Sequence, residues 1–378
     1  MNPLNAKVLL LHVCAIIALK NVQGIESRIN TRDLNIFCQL DYLATHPPSK
    51  PVLPDESTEK LLGLLLRLRN CTAGEAHACE EGMVEVEHET VNITKLTESD
   101  HQAALHQRIQ RLASKMERLK QSFDRHASTV TESYDKAVKH LRESVYGSGA
   151  VPNVTRGSVA AGQLAEMFKP VEEGSQHMDK FCGKAAAANG AGVTISNDMM
   201  CMCAIRVGGS AARITHACGL KNSVAMEGYE VGHAYDAWGK IVILCDTSER
   251  AVDAAALRGA LRSFSNSLGF LGKEDSPQYK SPHMLGSMGR HPKDGCTGDM
   301  GFQASLCVDY RTLIDPEDEG TRNLRMIPWY NLVASAADLL DQGNNAAEAA
   351  ARLHSQMQAI AEVALSIYYE GSGKVGCE

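Results

Sequence analysis

A heptad stripe running from Ser99 to Tyr146 constrains this chain more than any other feature. Apolar residues fall at Leu105, Ile109, Leu112, Met116, Leu119, Phe123, Val130, Tyr134, Val138, Leu141 and Val145, and Ala127 and Ala137 fill two gaps. Spacings near three and four mark a helix that buries one stripe against other helices. Ser99 or Asp100 can cap its start, and Gly147-Ser148-Gly149 stops it. At 1.5 Å per residue such a helix is roughly 70 Å long. Arg108, Lys115, Glu117 and Lys120 occupy its other faces and read as solvated surface.

A second long helix is predicted over about 344–370, where Ala346, Ala350, Leu353, Met357, Ile360, Ala364 and Ile367 repeat the rhythm. Gly371-Ser372-Gly373 is expected to break it, so 371–378 reads as the start of a linker. Leu34, Phe37, Cys38, Leu40 and Leu43 suggest a first helix ended by Pro47-Pro48 and Pro51. Leu61 to Leu68 reads as a short helical piece, and Val84-Glu85-Val86-Glu87 alternates like a strand. Residues 147–330 are richer in glycine and cysteine, with short helical stretches such as 250–268. The expected fold is mainly α: an elongated helical bundle or coiled coil, with a disulfide-braced head lobe (147–330) inserted between the long helices.

The N-terminus sets the compartment. Lys7 precedes an apolar run from Val8 to Leu19, and Val22-Gln23-Gly24 ends it, so residues 1–24 read as a secretory signal peptide. That run is shorter than the roughly 20 apolar residues a bilayer span needs. Loss of Lys7 and Lys20 takes the formal charge from −7 to −9, which argues against a nucleic-acid surface. Cys14 leaves with the signal. Cys38, Cys71, Cys79, Cys182, Cys201, Cys203, Cys218, Cys245, Cys296 and Cys307 are then disulfide candidates whose pairing spacing alone does not give. Cys377 is the odd one out, with a partner expected beyond this chain. Asn70, Asn92 and Asn153 head Asn-x-Ser/Thr sequons and are candidate glycan sites, Asn70 the weakest because Cys71 sits inside its sequon.

Little else suggests chemistry. Cys201-Met202-Cys203 has no second cysteine pair to complete a zinc site, so two disulfides to different partners are expected. The histidines, His216, His233, His283 and His291 among them, lack ligand spacing, and no HExxH occurs. Leu285-Gly286-Ser287-Met288-Gly289 lacks the first glycine of a nucleophile elbow. Gly371-Ser372-Gly373-Lys374 lacks the earlier glycine of a phosphate loop. Glu80-Glu81 and the acidic residues of 315–319 read as solvated loops. No enzyme, cofactor or metal is expected.

Several short pieces, in this order, resemble one family. They are Phe37-Cys38-Gln39-Leu40, Asn197-Asp198-Met199-Met200-Cys201-Met202-Cys203-Ala204 and Ala217-Cys218-Gly219. Trp238-Gly239-Lys240-Ile241 through Cys245, Cys296-Thr297-Gly298, Cys307-Val308-Asp309-Tyr310 and Ile327-Pro328-Trp329 follow. With the signal and the heptad helix, the chain is similar to the variant surface glycoproteins of African trypanosomes, the B-type or congolense-like branch in particular. The resemblance makes residues 25–370 an N-terminal ectodomain. It implies a homodimer packed into a dense coat, met by host antibodies, shielding the surface and carrying antigenic variation. It also implies a glycosylphosphatidylinositol anchor on the extracellular face of the plasma membrane. No polar spacer and hydrophobic tail precede Glu378, so that anchor is expected to lie outside this chain. A nutrient or host-protein receptor on the same scaffold is the alternative.

Overall fold

A computed structural model describes residues 30–73, 79–86, 89–96, 100–150, 159–169, 178–183, 190–206, 217–220, 224–226, 230–245, 251–269, 282–287, 296, 306–314 and 322–372. The signal segment, Asn153, His216, His291, residues 315–319 and Cys377 lie outside them. The elements run α1 (Thr31–Thr45), α2 (Asp55–Thr72), β1 (Gly82–Val86), β2 (Glu89–Ile93), α3 (Asp100–Tyr146), α4 (Ala161–Met167), α5 (Asp179–Cys182) and α6 (Ile195–Cys203). Then come β3 (Ala204–Arg206), β4 (Val224–Met226), α7 (Val231–Val242), α8 (Ala254–Ser267), β5 (Met284–Ser287), β6 (Leu306–Asp309), α9 (Arg311–Ile314) and α10 (Pro328–Ser372). The fold is mainly α; among the described residues there are two long helices and five disulfides, and the strands pair in two-stranded sheets.

Two compact units divide the chain. One draws on Met1–Pro48 and Lys136–Asp338, the other on Ser49–Asp135 and Leu339–Glu378. The second unit is a helical bundle edged by the antiparallel β1–β2 hairpin, with Val84 opposite Val91. Leu61, Leu64, Leu65 and Leu68 of α2 meet Leu105, Ile109, Ala113 and Met116 of α3 in one buried cluster. Met357, Ile360, Ala361, Ala364 and Ile367 of α10 complete it. Leu112 and Leu119 of the sequence stripe are only partly buried, whereas Ala113, which is not in that stripe, is fully enclosed. A small side chain at the centre lets the neighbouring backbone come close, and the leucines then close the flanks. The Tyr368 hydroxyl donates to the Thr94 carbonyl (2.6 Å) and accepts from the Thr94 N–H (2.7 Å), fixing the hairpin's exit.

The predicted closing helix needs correcting at both ends. It begins at Pro328, not near residue 344, and it runs through Gly371 and Ser372. Proline suits a first helical position because its missing N–H would be unpaired there anyway. Val333, Ala336, Ala337 and Leu340 are buried and carry the stripe upstream. Gly343, just before the predicted start, is a place of close approach: a Cβ there would sit 2.7 Å from the Tyr134 ring. A Cβ on Gly371 would likewise collide with the Leu105 side chain. Residue 343 thus meets 134 and residue 371 meets 105, so α3 and α10 pack antiparallel in this unit. The helix around Leu61–Leu68 is also longer than its leucine run, covering Asp55–Thr72.

In the first unit α3 ends at Gly147, whose φ of +83° favours glycine and whose added Cβ would clash with the Glu166 backbone at 2.5 Å. All nine residues of α6 are buried, and the shorter elements gather round it. β3 pairs parallel with β4, and β5 pairs antiparallel with β6. Phe264 of α8 lies edge-on to Trp329 (centroids 4.7 Å apart), to Tyr310 (5.6 Å) and to Phe37 of α1 (6.1 Å). Edge-to-face rings of this kind add stabilisation beyond the area they bury.

Candidate functional site

Helix α6 is the hub of the first unit, and its polar residues explain why. Thr194 caps the helix, its hydroxyl accepting from the Asn197 N–H at 3.0 Å and donating to the Met167 carbonyl at 2.6 Å. The Ser196 hydroxyl donates to the Val145 carbonyl (2.9 Å), tying α6 to the end of α3. Asn197 donates to the Phe181 and Gly190 carbonyls (2.8 and 2.9 Å). Asp198 sits at the centre: its Oδ2 accepts from the Tyr310 hydroxyl and the Trp329 Nε1–H, each at 2.7 Å. Its Oδ1 accepts from the Gly192 N–H (2.9 Å) and Asn197 Nδ2 (3.3 Å). Asn30, at the start of α1, donates to the Met202 and Leu306 carbonyls (2.8 and 2.7 Å).

Cystines surround this knot. The ten candidate cysteines come together as Cys38–Cys245, Cys71–Cys79, Cys182–Cys201, Cys203–Cys218 and Cys296–Cys307, with Cα separations from 4.4 to 5.5 Å. The two cysteines of Cys201-Met202-Cys203 therefore part, one to α5 and one to the turn at 217–219. Apart from Cys71–Cys79, all belong to the first unit. Phe37, Asp198, Tyr310 and Trp329 come from four separate pieces of the motif series, and all four are buried. The motifs thus mark packing. Asp198 carried no role in the sequence reading, and its cue was a lone acid just before the apolar, cysteine-rich run Met199-Met200-Cys201-Met202-Cys203.

The electrostatics of this core have a direction. Burial pushes the Asp198 carboxyl up to about 6, against the downward pull of its four donors. Burial also raises Asp33 to about 6, although Arg32 and the Gly286 N–H favour its charged form. Asp309 moves the same way, again through burial, with Arg311 opposing. A carboxyl raised from 3.8 in the unfolded chain to about 6 when folded binds its proton more tightly in the fold. Its contribution is complete below 3.8 and is lost as pH rises through about 6. Between pH 7.5 and 5, Asp33 and Asp198 should each add about 1 kcal/mol of stability. The two carboxyls should therefore raise the melting temperature at pH 5 relative to pH 7.5, opposed by His140, whose affinity for a proton burial lowers. The Asp33→Asn variant should lose part of that difference; an unchanged pH profile would count against the assignment.

No group of three metal-ligating side chains occurs among the described residues. Ser287 stands on β5 opposite Leu306, on a strand ladder, whereas a nucleophile elbow needs a strand-to-helix turn. His283 is buried, and His233 is half-buried on α7. Among the described residues no helix is long and apolar enough to cross a membrane. Asn92 is exposed on β2, and Asn70 is half-buried in α2. Sequence reasoning passed over a cleft bordered by Arg258, Arg262, Arg322 and Arg325. Its only signal was an i, i+4 arginine pair on a helix and a second pair near the start of another.

Comparison with known proteins agrees with this architecture. The family described as "Trypanosomal VSG domain" matches residues 69–359. The chain is also similar to "Variant surface glycoprotein YnAT 1.3" of Trypanosoma congolense, 25% identical over 232 residues. That match takes in 60% of this chain and spans about half (52%) of the relative's length. With the family matched across most of its length, from α2 into α10, the chain belongs to the trypanosomal VSG domain family.

Proposed function

We propose that this chain is the ectodomain of a surface coat glycoprotein, which shields the parasite's plasma membrane and whose replacement by other variants changes the exposed antigen. Family membership over residues 69–359 carries the reading. The physical design supports it. A core tied by buried hydrogen bonds and cystines tolerates change in the loops around it, because loop residues carry little of the packing. A dimer of this chain, a cleaved signal at residues 1–24 and a lipid anchor belong to the same proposal. So does recognition by host antibodies. The test is abundance on living cells after phospholipase release of anchored surface proteins. The coat reading expects this protein to dominate the released material, and a trace amount would overturn it.

We propose further that Asn92 carries an N-glycan and Asn70 does not. Asn92 projects from an exposed strand position. Asn70 lies within α2, with Cys71 bridged to Cys79 and the Thr72 hydroxyl buried against the Leu68 and Arg69 carbonyls (3.0 and 2.9 Å). A bridge across eight residues can close as soon as both cysteines reach an oxidising lumen, leaving the sequon folded away. Peptide mapping after enzymatic deglycosylation in heavy-oxygen water should label Asn92 and leave Asn70 largely unlabelled. The reverse pattern would refute the assignment.

A further inference from the structure

We infer that the cleft bordered by Arg258, Arg262, Arg322 and Arg325 binds a small organic anion: a phosphate or sulfate ester with at least two negative charges. The cleft lies within the first unit, between α8, the turn at 324–326 and the first turns of α10. Its volume is about 490 Å³, within the range of roughly 300–1,000 Å³ usual for small-ligand sites.

Four arginines face one carboxylate, so the formal charge of the lining is +3 in a chain whose total is −7. Asp338 accounts for two of them. Its Oδ1 accepts from Arg258 Nη2 and its Oδ2 from Arg325 Nη2, both at 2.9 Å. These bonds hold the Asp338 carboxyl below its usual range, so it stays charged and keeps both guanidinium groups in place. The Asn323 side chain accepts from the Arg325 N–H (3.2 Å) and fixes the turn that presents Arg322 and Arg325.

Arg262 and Arg322 are left over. Both are exposed, both line the cleft, and neither has a carboxylate partner among the described residues. An ion pair between α8 and α10 needs one arginine, or at most two, whereas four converging guanidinium groups repel one another unless an anion sits among them. The planar arginine fork matches phosphate and sulfate oxygens in pairs. Leu261, Tyr330 and Ala334 supply an apolar wall for the organic part of such an ester. This site goes beyond the coat role, which needs no ligand.

The test uses the folded, full-length chain at about 150 mM salt, where only close contacts survive screening. The whole chain is used because four acidic residues, Asp315, Glu317, Asp318 and Glu319, precede Arg322 in sequence. Calorimetry with ATP, with a trisulfated heparin disaccharide and with uncharged adenosine should show binding by at least one ester, with Kd below about 1 mM, and none by adenosine. Which ester binds identifies its kind. Arg262→Ala and Arg322→Ala should each weaken binding about tenfold while leaving the melting temperature unchanged. If either variant melts early, Arg262→Gln and Arg322→Gln, which keep more of the side chain's volume, take its place. Absence of binding by both esters up to millimolar concentration overturns the proposal, and so does binding that the substitutions leave intact.

Discussion

Asp198→Ala should cost the first unit about 3–5 kcal/mol and lower its melting temperature by on the order of 10 °C. Four donors converge on this carboxylate, and they do not lose equally when it goes. Asn197 keeps the Phe181 and Gly190 carbonyls, and the Tyr310 hydroxyl can rotate. The Trp329 Nε1–H and the Gly192 N–H have no such recourse in the described core. Each buried donor left unpaired costs roughly 1–3 kcal/mol, and the vacated volume adds a cavity term. Release from burying the carboxyl works the other way, which keeps the expected loss below the sum of these parts. Asp198→Asn should fall between wild type and alanine: it keeps one acceptor oxygen but turns an N–H2 toward donors. Urea unfolding followed by near-ultraviolet circular dichroism reads this core directly, because Trp329 and Tyr310 both bond the replaced group. A loss under about 1 kcal/mol would mean that the four bonds are not what holds α6 in place.

The same residue shows where sequence reasoning stops. The stripe of α3 was legible because a long helix repeats its burial every three or four residues, and Gly147 marked its end without tertiary information. Leu61 to Leu68 was legible for the same reason, as far as its leucines reached. The start of α10 was not. Gly343-Asn344-Asn345 resembles a helix boundary, and only the Tyr134 ring packed over Gly343 shows that the glycine is there for close approach. The role of Asp198 depends on Gly192, Tyr310 and Trp329, which lie 6, 112 and 131 residues from it. No local pattern encodes such a meeting. The arginine cleft was missed likewise, since Arg258 and Asp338 are 80 residues apart.

Removing the Cys38–Cys245 bridge, as the double variant Cys38→Ala with Cys245→Ala, should be the most damaging of the cystine deletions. It ties α1 to the end of α7 across 207 residues. On a chain-entropy basis, closing a loop of that length restricts the unfolded state by about 5 kcal/mol. The shorter Cys182–Cys201 and Cys203–Cys218 bridges lie inside this loop, but the cost grows only with the logarithm of length, so they change it little. Cys71–Cys79 closes eight residues and on the same basis is worth about 2–3 kcal/mol. Thermal melts of the two double-alanine variants should therefore differ, with the Cys38–Cys245 pair losing about twice as much. The lesions should also differ in place, because Cys71–Cys79 belongs to the second unit and the other bridge to the first. Near-ultraviolet dichroism of the Phe37, Phe264 and Trp329 cluster should weaken in the first variant and persist in the second. Equal losses of melting temperature would sink the loop-length argument. The unfolded chain would then already hold α1 near α7 without the bridge, and the cystine would act through its native packing beside Phe37.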